Sequence, residues 1–149
     1  VAAYVAPSGV GKTTIARTLG THRGYVTDET LVIRPDLSVI AYPKPLSIAG
    51  QAPSPVKTQV GPDSLGLRVA PTDLRLDAIY LLDRRADGPV SPTTEPVEFL
   101  ESIATLAQQT SFLPQLPHKL HSLAAVVEGV GGVRQLSYRE AASVVGHAR

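Results

Sequence analysis

One octapeptide, Ala6-Pro7-Ser8-Gly9-Val10-Gly11-Lys12-Thr13, restricts this chain more than any other feature. It follows the pattern small-x-x-x-x-Gly-Lys-Thr, with Ala6 where glycine is commonest. Gly9 and Gly11 carry no Cβ, which lets the backbone turn successive N–H groups inward around an anion. The positive end of a following helix adds to the same field. Such a loop works between a buried strand and a helix, and the flanking residues supply both. Val1 to Ala6 is a continuous apolar run that predicts a fully buried strand, of the kind found in the middle of a parallel sheet. Lys12 to Leu19 predicts a short helix, stopped by Gly20.

The rest of the chain extends that alternation. Gly24 to Thr27 predicts a second strand, lying beside the first and ending at Asp28-Glu29. Two apolar runs, Leu31–Ile33 and Val39–Tyr42, flank Pro35-Asp36, which is turn chemistry and predicts a β-hairpin. From Pro43 to Thr72 the chain is rich in Pro, Gly and Ser, too long for an idle connection, and reads as a segment able to close over a site. Leu76 to Leu82 predicts a core strand ending at Asp83-Arg84-Arg85. Helices are expected over Thr94–Gln109 and Leu116–Val127, a last strand over Val133–Tyr138, and a further helix from Arg139. The class is α/β, with a mostly parallel or mixed sheet flanked by helices. With 149 residues the chain holds one domain, residues 1–149. It opens on a strand and contains no methionine, so it reads as part of a longer protein.

The loop predicts a nucleoside triphosphate, ATP with Mg²⁺. Ser8, Gly9, Val10, Gly11, Lys12, Thr13 and Thr14 would surround the phosphates. Lys12 would reach the β- and γ-phosphate oxygens, and the Thr13 hydroxyl would ligate Mg²⁺. A triphosphate site also needs a carboxylate, for the metal or for the attacking group. Asp28 is placed to bind Mg²⁺ or to accept the proton of an incoming hydroxyl, and Glu29 to do the other job; a solvated turn is the plain alternative. Asp83 competes for the metal, because an apolar strand ending in Asp presents such an acid. Arg84 and Arg85 suit phosphate oxygens or an exposed turn equally. Lys44, between two prolines, faces either a substrate or solvent. The four histidines share no metal-ligand spacing with an acid.

Composition removes other classes. Fourteen basic against thirteen acidic side chains leave a net charge of +1, with no basic stripe for nucleic acid. No run of 18 apolar residues is present to span a membrane. The absence of cysteine removes disulfides and thiolate metal sites and suits the cytoplasm.

The order of Ser8-Gly9-Val10-Gly11-Lys12-Thr13, short helix, Tyr25-Val26-Thr27-Asp28-Glu29, hairpin and Pro43-Lys44-Pro45-Leu46-Ser47 resembles HPr kinase/phosphorylase-related proteins, in the phosphoenolpyruvate-carboxykinase-like group of P-loop folds. The resemblance covers about the first third of the chain well, and the tail Gly132–Tyr138 is similar to small actinobacterial-style members. It implies phosphoryl transfer to a serine or other hydroxyl, with Asp28 as base and Glu29 in place of a second Asp. Thr14 stands where the bifunctional enzymes carry Glu, and their Arg-Gly-rich signature is missing from Leu65–Leu76. The expectation is a kinase acting on a protein, peptide or small molecule. The alternatives are a P-loop ATPase or nucleotide-dependent switch, and a binding module without turnover. No Asn-Lys-x-Asp element marks a GTPase, and no Leu-Ser-Gly-Gly-Gln-like element marks an ABC-type ATPase.

Overall fold

Side-chain alternation along three strands determines how the chain is layered. In the computed structural model, which describes residues 1–49 and 57–147, the elements run β1 (Ala2–Val5), α1 (Lys12–Gly20), β2 (Gly24–Tyr25), β3 (Val32–Ile33), β4 (Val39–Ile40), β5 (Leu46–Ala49), β6 (Lys57–Val60), β7 (Arg68–Val69), β8 (Ala78–Arg84), β9 (Thr93–Pro96), α2 (Phe99–Gln109), α3 (Lys119–Gly129) and β10 (Val133–Tyr138). A 3₁₀ run, Ala141–Gly146, follows. The main sheet has the order β1-β8-β10-β9, parallel except for the antiparallel pairing of β9 with β10.

Successive residues of a strand face opposite sides. Ala3, Val5, Ile79, Leu81 and Val133 enter one core with α2, α3 and the β3–β4 hairpin, through Leu106, Leu123, Val127, Leu37 and Val39. Tyr4, Ala6, Tyr80, Leu82, Leu136 and Tyr138 enter a second core on the other face, with Ile15 and Leu19 of α1 and Val144 of the 3₁₀ run. The fold is α/β, a mixed sheet flanked by helices on both faces.

A third cluster supports the segment beside α1. Leu46 is completely buried with Tyr25 and Leu67, and Ala16 of α1 packs against them. The described parts of the Pro/Gly-rich segment contain strands: β5 and β6 pair antiparallel, and β7 pairs parallel with β2. Residues 50–56 of that segment lie outside the described residues.

Several expectations need correction. β1 is an edge of the main sheet, pairing only with β8 among the described residues, and its own residues are only partly buried. β2 pairs with β7 and not with β1, and it is two residues long. Thr93–Pro96 forms an edge strand where a helix was expected to begin; the helix starts only after Glu98, whose carboxylate accepts from the Leu100 and Glu101 N–H groups. Pro117 delays α3 to Lys119. The turn after Tyr138 is 3₁₀ rather than α. The β3–β4 hairpin and the span of β10 are as expected.

Candidate functional site

At the loop, Gly9 and Gly11 adopt φ of +88° and +109°, the left-handed region that favours glycine. A Cβ at Gly9 would meet nothing within 4 Å, so backbone conformation rather than space calls for glycine there. The first bond of α1 runs from the Ile15 N–H to the Gly11 carbonyl, 3.0 Å. The N–H groups of Lys12, Thr13 and Thr14 thus have no intrahelical acceptor, and Gly11 brings no capping side chain. No acid stands in the first turn to oppose the positive helix end. The Lys12 ammonium folds back over the loop, donating to the carbonyls of Ala6 (2.6 Å) and Pro7 (2.9 Å). Ser8 and Gly9 are exposed and Val10 is half-buried, while Thr14 points outward from the helix surface.

Asp28 is brought to the start of that helix. The Thr13 hydroxyl donates to Asp28 Oδ2 at 3.2 Å. On its other side, the Tyr25 hydroxyl lies 3.3 Å from Asp28 Oδ1 and 3.2 Å from the Lys44 carbonyl, sharing one proton between two acceptors. Burial, and then the Asp28 charge, hold the Tyr25 phenol well above the usual tyrosine range, so it remains a donor. Glu29 is ion-paired with Lys44 and makes no hydrogen bond to the loop among the described residues. The pair at Asp28-Glu29 therefore splits: Asp28 turns to the loop and Glu29 anchors the chain returning at Lys44.

Asp83 is turned away. It follows Leu82 in β8, and the alternation that puts Leu82 on the α1 face puts Asp83 on the other. Its Oδ2 accepts from Ser137 (3.0 Å) and Gln135 (3.2 Å) and pairs with Arg85 at 3.1 Å. Arg84, by the same alternation, faces the loop: its Cδ lies 3.9 Å from where a Cβ on Gly11 would stand. Arg84 also donates to the Arg139 carbonyl at 3.2 Å. Together with Gly9, Val10, Ala86, Arg139 and Glu140 it lines a cleft of about 430 Å³.

Among the described residues no three His, Cys, Asp or Glu side chains cluster as a metal cage. Thr13 Oγ1 and the Asp28 carboxylate are the two side-chain oxygens brought together at the start of α1. His118 and His121 stack edge to face at 6.2 Å and lie on an exposed helix start, far in sequence from any of these groups.

Sequence reasoning missed two contributors. Tyr25 was legible only as a strand residue, although a phenol three positions before an Asp at a strand end is within reach of it. Arg139-Glu140 reads from sequence as a helix start, although residues just past the carboxyl end of a parallel strand line the crevices of α/β sheets. Comparison with protein families, with curated proteins and with solved structures gives no match. No helix among the described residues is long and apolar enough to cross a membrane.

Proposed function

We propose that this chain is a P-loop kinase domain that binds ATP with Mg²⁺ and transfers the γ-phosphoryl to a hydroxyl on a protein, peptide or small molecule. The observation that carries the reading is the Thr13–Asp28 contact of 3.2 Å, which puts a carboxylate at the mouth of a Gly-Lys-Thr loop. The loop amides and Lys12 hold the phosphates, and Lys12 leaves the Ala6 and Pro7 carbonyls to do so. Thr13 and Asp28 would hold magnesium, whose charge would neutralise the phosphates. Asp28 also accepts the acceptor's proton: the acceptor oxygen bonds to the γ-phosphorus as the bond from that phosphorus to the β,γ-bridging oxygen breaks, releasing ADP. Tyr25 orients Asp28, and the Glu29–Lys44 pair fixes the segment that follows it. Asp28 as base is what the resemblance to HPr kinase/phosphorylase-related proteins implies, whereas Glu29, which that resemblance puts in place of a second Asp, is paired with Lys44; such chemistry suits the cytoplasm.

The test is incubation with γ-labelled ATP and Mg²⁺, with and without serine-containing peptides and small hydroxyl compounds. Label on an acceptor, reduced ~10²–10⁴-fold in Asp28→Asn with nucleotide binding retained, is the expected result. Label released only as phosphate, at a rate no acceptor changes, would mean an ATPase. Absence of ATP binding by calorimetry would end the nucleotide reading altogether.

A further inference from the structure

The loop accounts for a triphosphate but not for the nucleoside attached to it. The two flanks of α1 are built differently. Ala16 and Gly20 pack against Tyr25 and Leu67, the side that delivers Asp28. Ile15 and Leu19 pack against Tyr138, Ala141 and Val144, the side from which the Arg139–Glu140 turn emerges. With the terminal phosphate near Thr13 and Asp28, the flank packed against Tyr25 and Leu67 is filled, and the opposite flank is the open one. There the loop residues Gly9 and Val10 open onto the cleft of about 430 Å³ lined by Arg84, Arg139 and Glu140. That volume lies within the range of small-molecule sites, roughly 300–1,000 Å³.

The lining is chemically mixed in a way that suits a nucleoside better than a second anion. Arg84 is steered by its bond to the Arg139 carbonyl, and Arg139 by its bond to the Gly88 carbonyl at 3.2 Å. Planar guanidinium groups held in place stack on aromatic rings. Glu140 sits 3.9 Å from the Arg84 guanidinium with 70% of its side chain exposed, so its carboxylate remains free to accept further hydrogen bonds. A carboxylate would repel an anionic acceptor, whereas ribose hydroxyls and base N–H groups are donors to it.

We propose that this cleft is the nucleoside subsite: Arg84 and Arg139 lie against the base, and Glu140 accepts from the ribose hydroxyls. The inference rests on the loop binding a triphosphate, and the test separates the two. Calorimetry with Mg²⁺ compares ATP, 2′,3′-dideoxy-ATP and inorganic tripolyphosphate on wild type, Arg139→Lys, Glu140→Gln and Lys12→Ala. Arg139→Lys keeps the charge and loses the planar face; Glu140→Gln changes an exposed side chain and leaves the core untouched. Wild type should bind ATP more tightly than tripolyphosphate. Arg139→Lys should shrink that margin roughly 3- to 30-fold without changing tripolyphosphate affinity. Glu140→Gln should weaken ATP but not the dideoxy analogue. Lys12→Ala should weaken all three ligands. If ATP and tripolyphosphate bind wild type equally, or the margin survives both cleft variants, the subsite is overturned and the loop reading stands. If no ligand binds wild type, or Lys12→Ala changes nothing, the loop reading falls and the subsite with it.

Discussion

Asp28 carries three relationships at once: it accepts from Thr13, lies beside the Tyr25 phenol, and sits next to a Glu29 committed to Lys44. Removing the phenol oxygen alone tests this arrangement. Tyr25→Phe should cost about 0.5–1.5 kcal/mol, the net worth of one hydrogen bond, read as a lower urea midpoint with an unchanged slope. Asp28→Asn should shift the Mg²⁺ dependence of nucleotide binding, and Asp83→Asn should leave it unchanged, since Asp83 is engaged by Ser137, Gln135 and Arg85. The competition between these two acids could not be decided from sequence. Both follow a strand-like run, and only the contacts each makes in the fold decide between them: Asp28 with Thr13, and Asp83 with Ser137, its neighbour across β10. A pH effect belongs to this scale too. Burial, and then the neighbouring Tyr80, push the Tyr4 phenol up from 10.0 to about 12. A raised value in the folded state gives stability that is complete below the ordinary tyrosine pKa and lost as pH rises through the folded one. Unfolding free energy should therefore fall between pH 10 and 12, and Tyr4→Phe, which keeps the ring stacked on Tyr80, should reduce that fall and leave the share due to the raised Tyr25 and Tyr138 phenols.

The elements explain why the site holds together away from the main sheet. β2 is only two residues long, and pairing with β7 would not hold it without the packing of Tyr25 on Leu46 and Leu67. Leu46→Ala should cost about 2–5 kcal/mol, because Leu46 is completely buried, and should also loosen Lys44 two residues away. Denaturation gives the first effect; protection of the Val26–Lys44 amides from hydrogen exchange gives the second. Gly24 has a separate constraint. A Cβ there would stand 2.8 Å from the Ala70 Cα, so Gly24→Ala must push β2 and β7 apart, whereas Gly66→Ala on the same segment meets no neighbour and strains only its own φ. The sequence made the loop, α1, the hairpin and β10 legible because each is short-range: glycine conformation, apolar period and turn residues lie within the element. It did not reveal the β2–β7 pairing, which joins residues more than forty positions apart with no local signal. The β9 strand was obscured differently. Thr94 to Gln109 contains enough apolar residues at helical spacing to read as one helix, and only Pro96 and the Glu98 cap divide it.

At the scale of the whole molecule, loop, Asp28 and cleft are joined through α1, which packs on both the sheet core and the Tyr25 cluster. A ligand that bridges those regions binds the folded chain and not the unfolded one, and so must stabilise it by mass action. At a free concentration of 100 times its Kd, ATP with Mg²⁺ should add ~2.7 kcal/mol. For a chain of 149 residues this is a rise in Tm of roughly 5–11 °C. The size of the rise should report which parts engage the ligand. Tripolyphosphate at a matched concentration should give a smaller rise, because it leaves the Arg139–Glu140 turn untouched. Lys12→Ala should remove most of both rises, since one charge-assisted phosphate contact is worth about 1.5–3 kcal/mol, while leaving the Tm of the free protein close to wild type. That last condition is set by the structure, where the Lys12 ammonium gives up only two exchangeable bonds to loop carbonyls and no core packing. A rise of equal size in wild type and Lys12→Ala would mean that ATP binds away from the loop, since Lys12 is the cation folded over it.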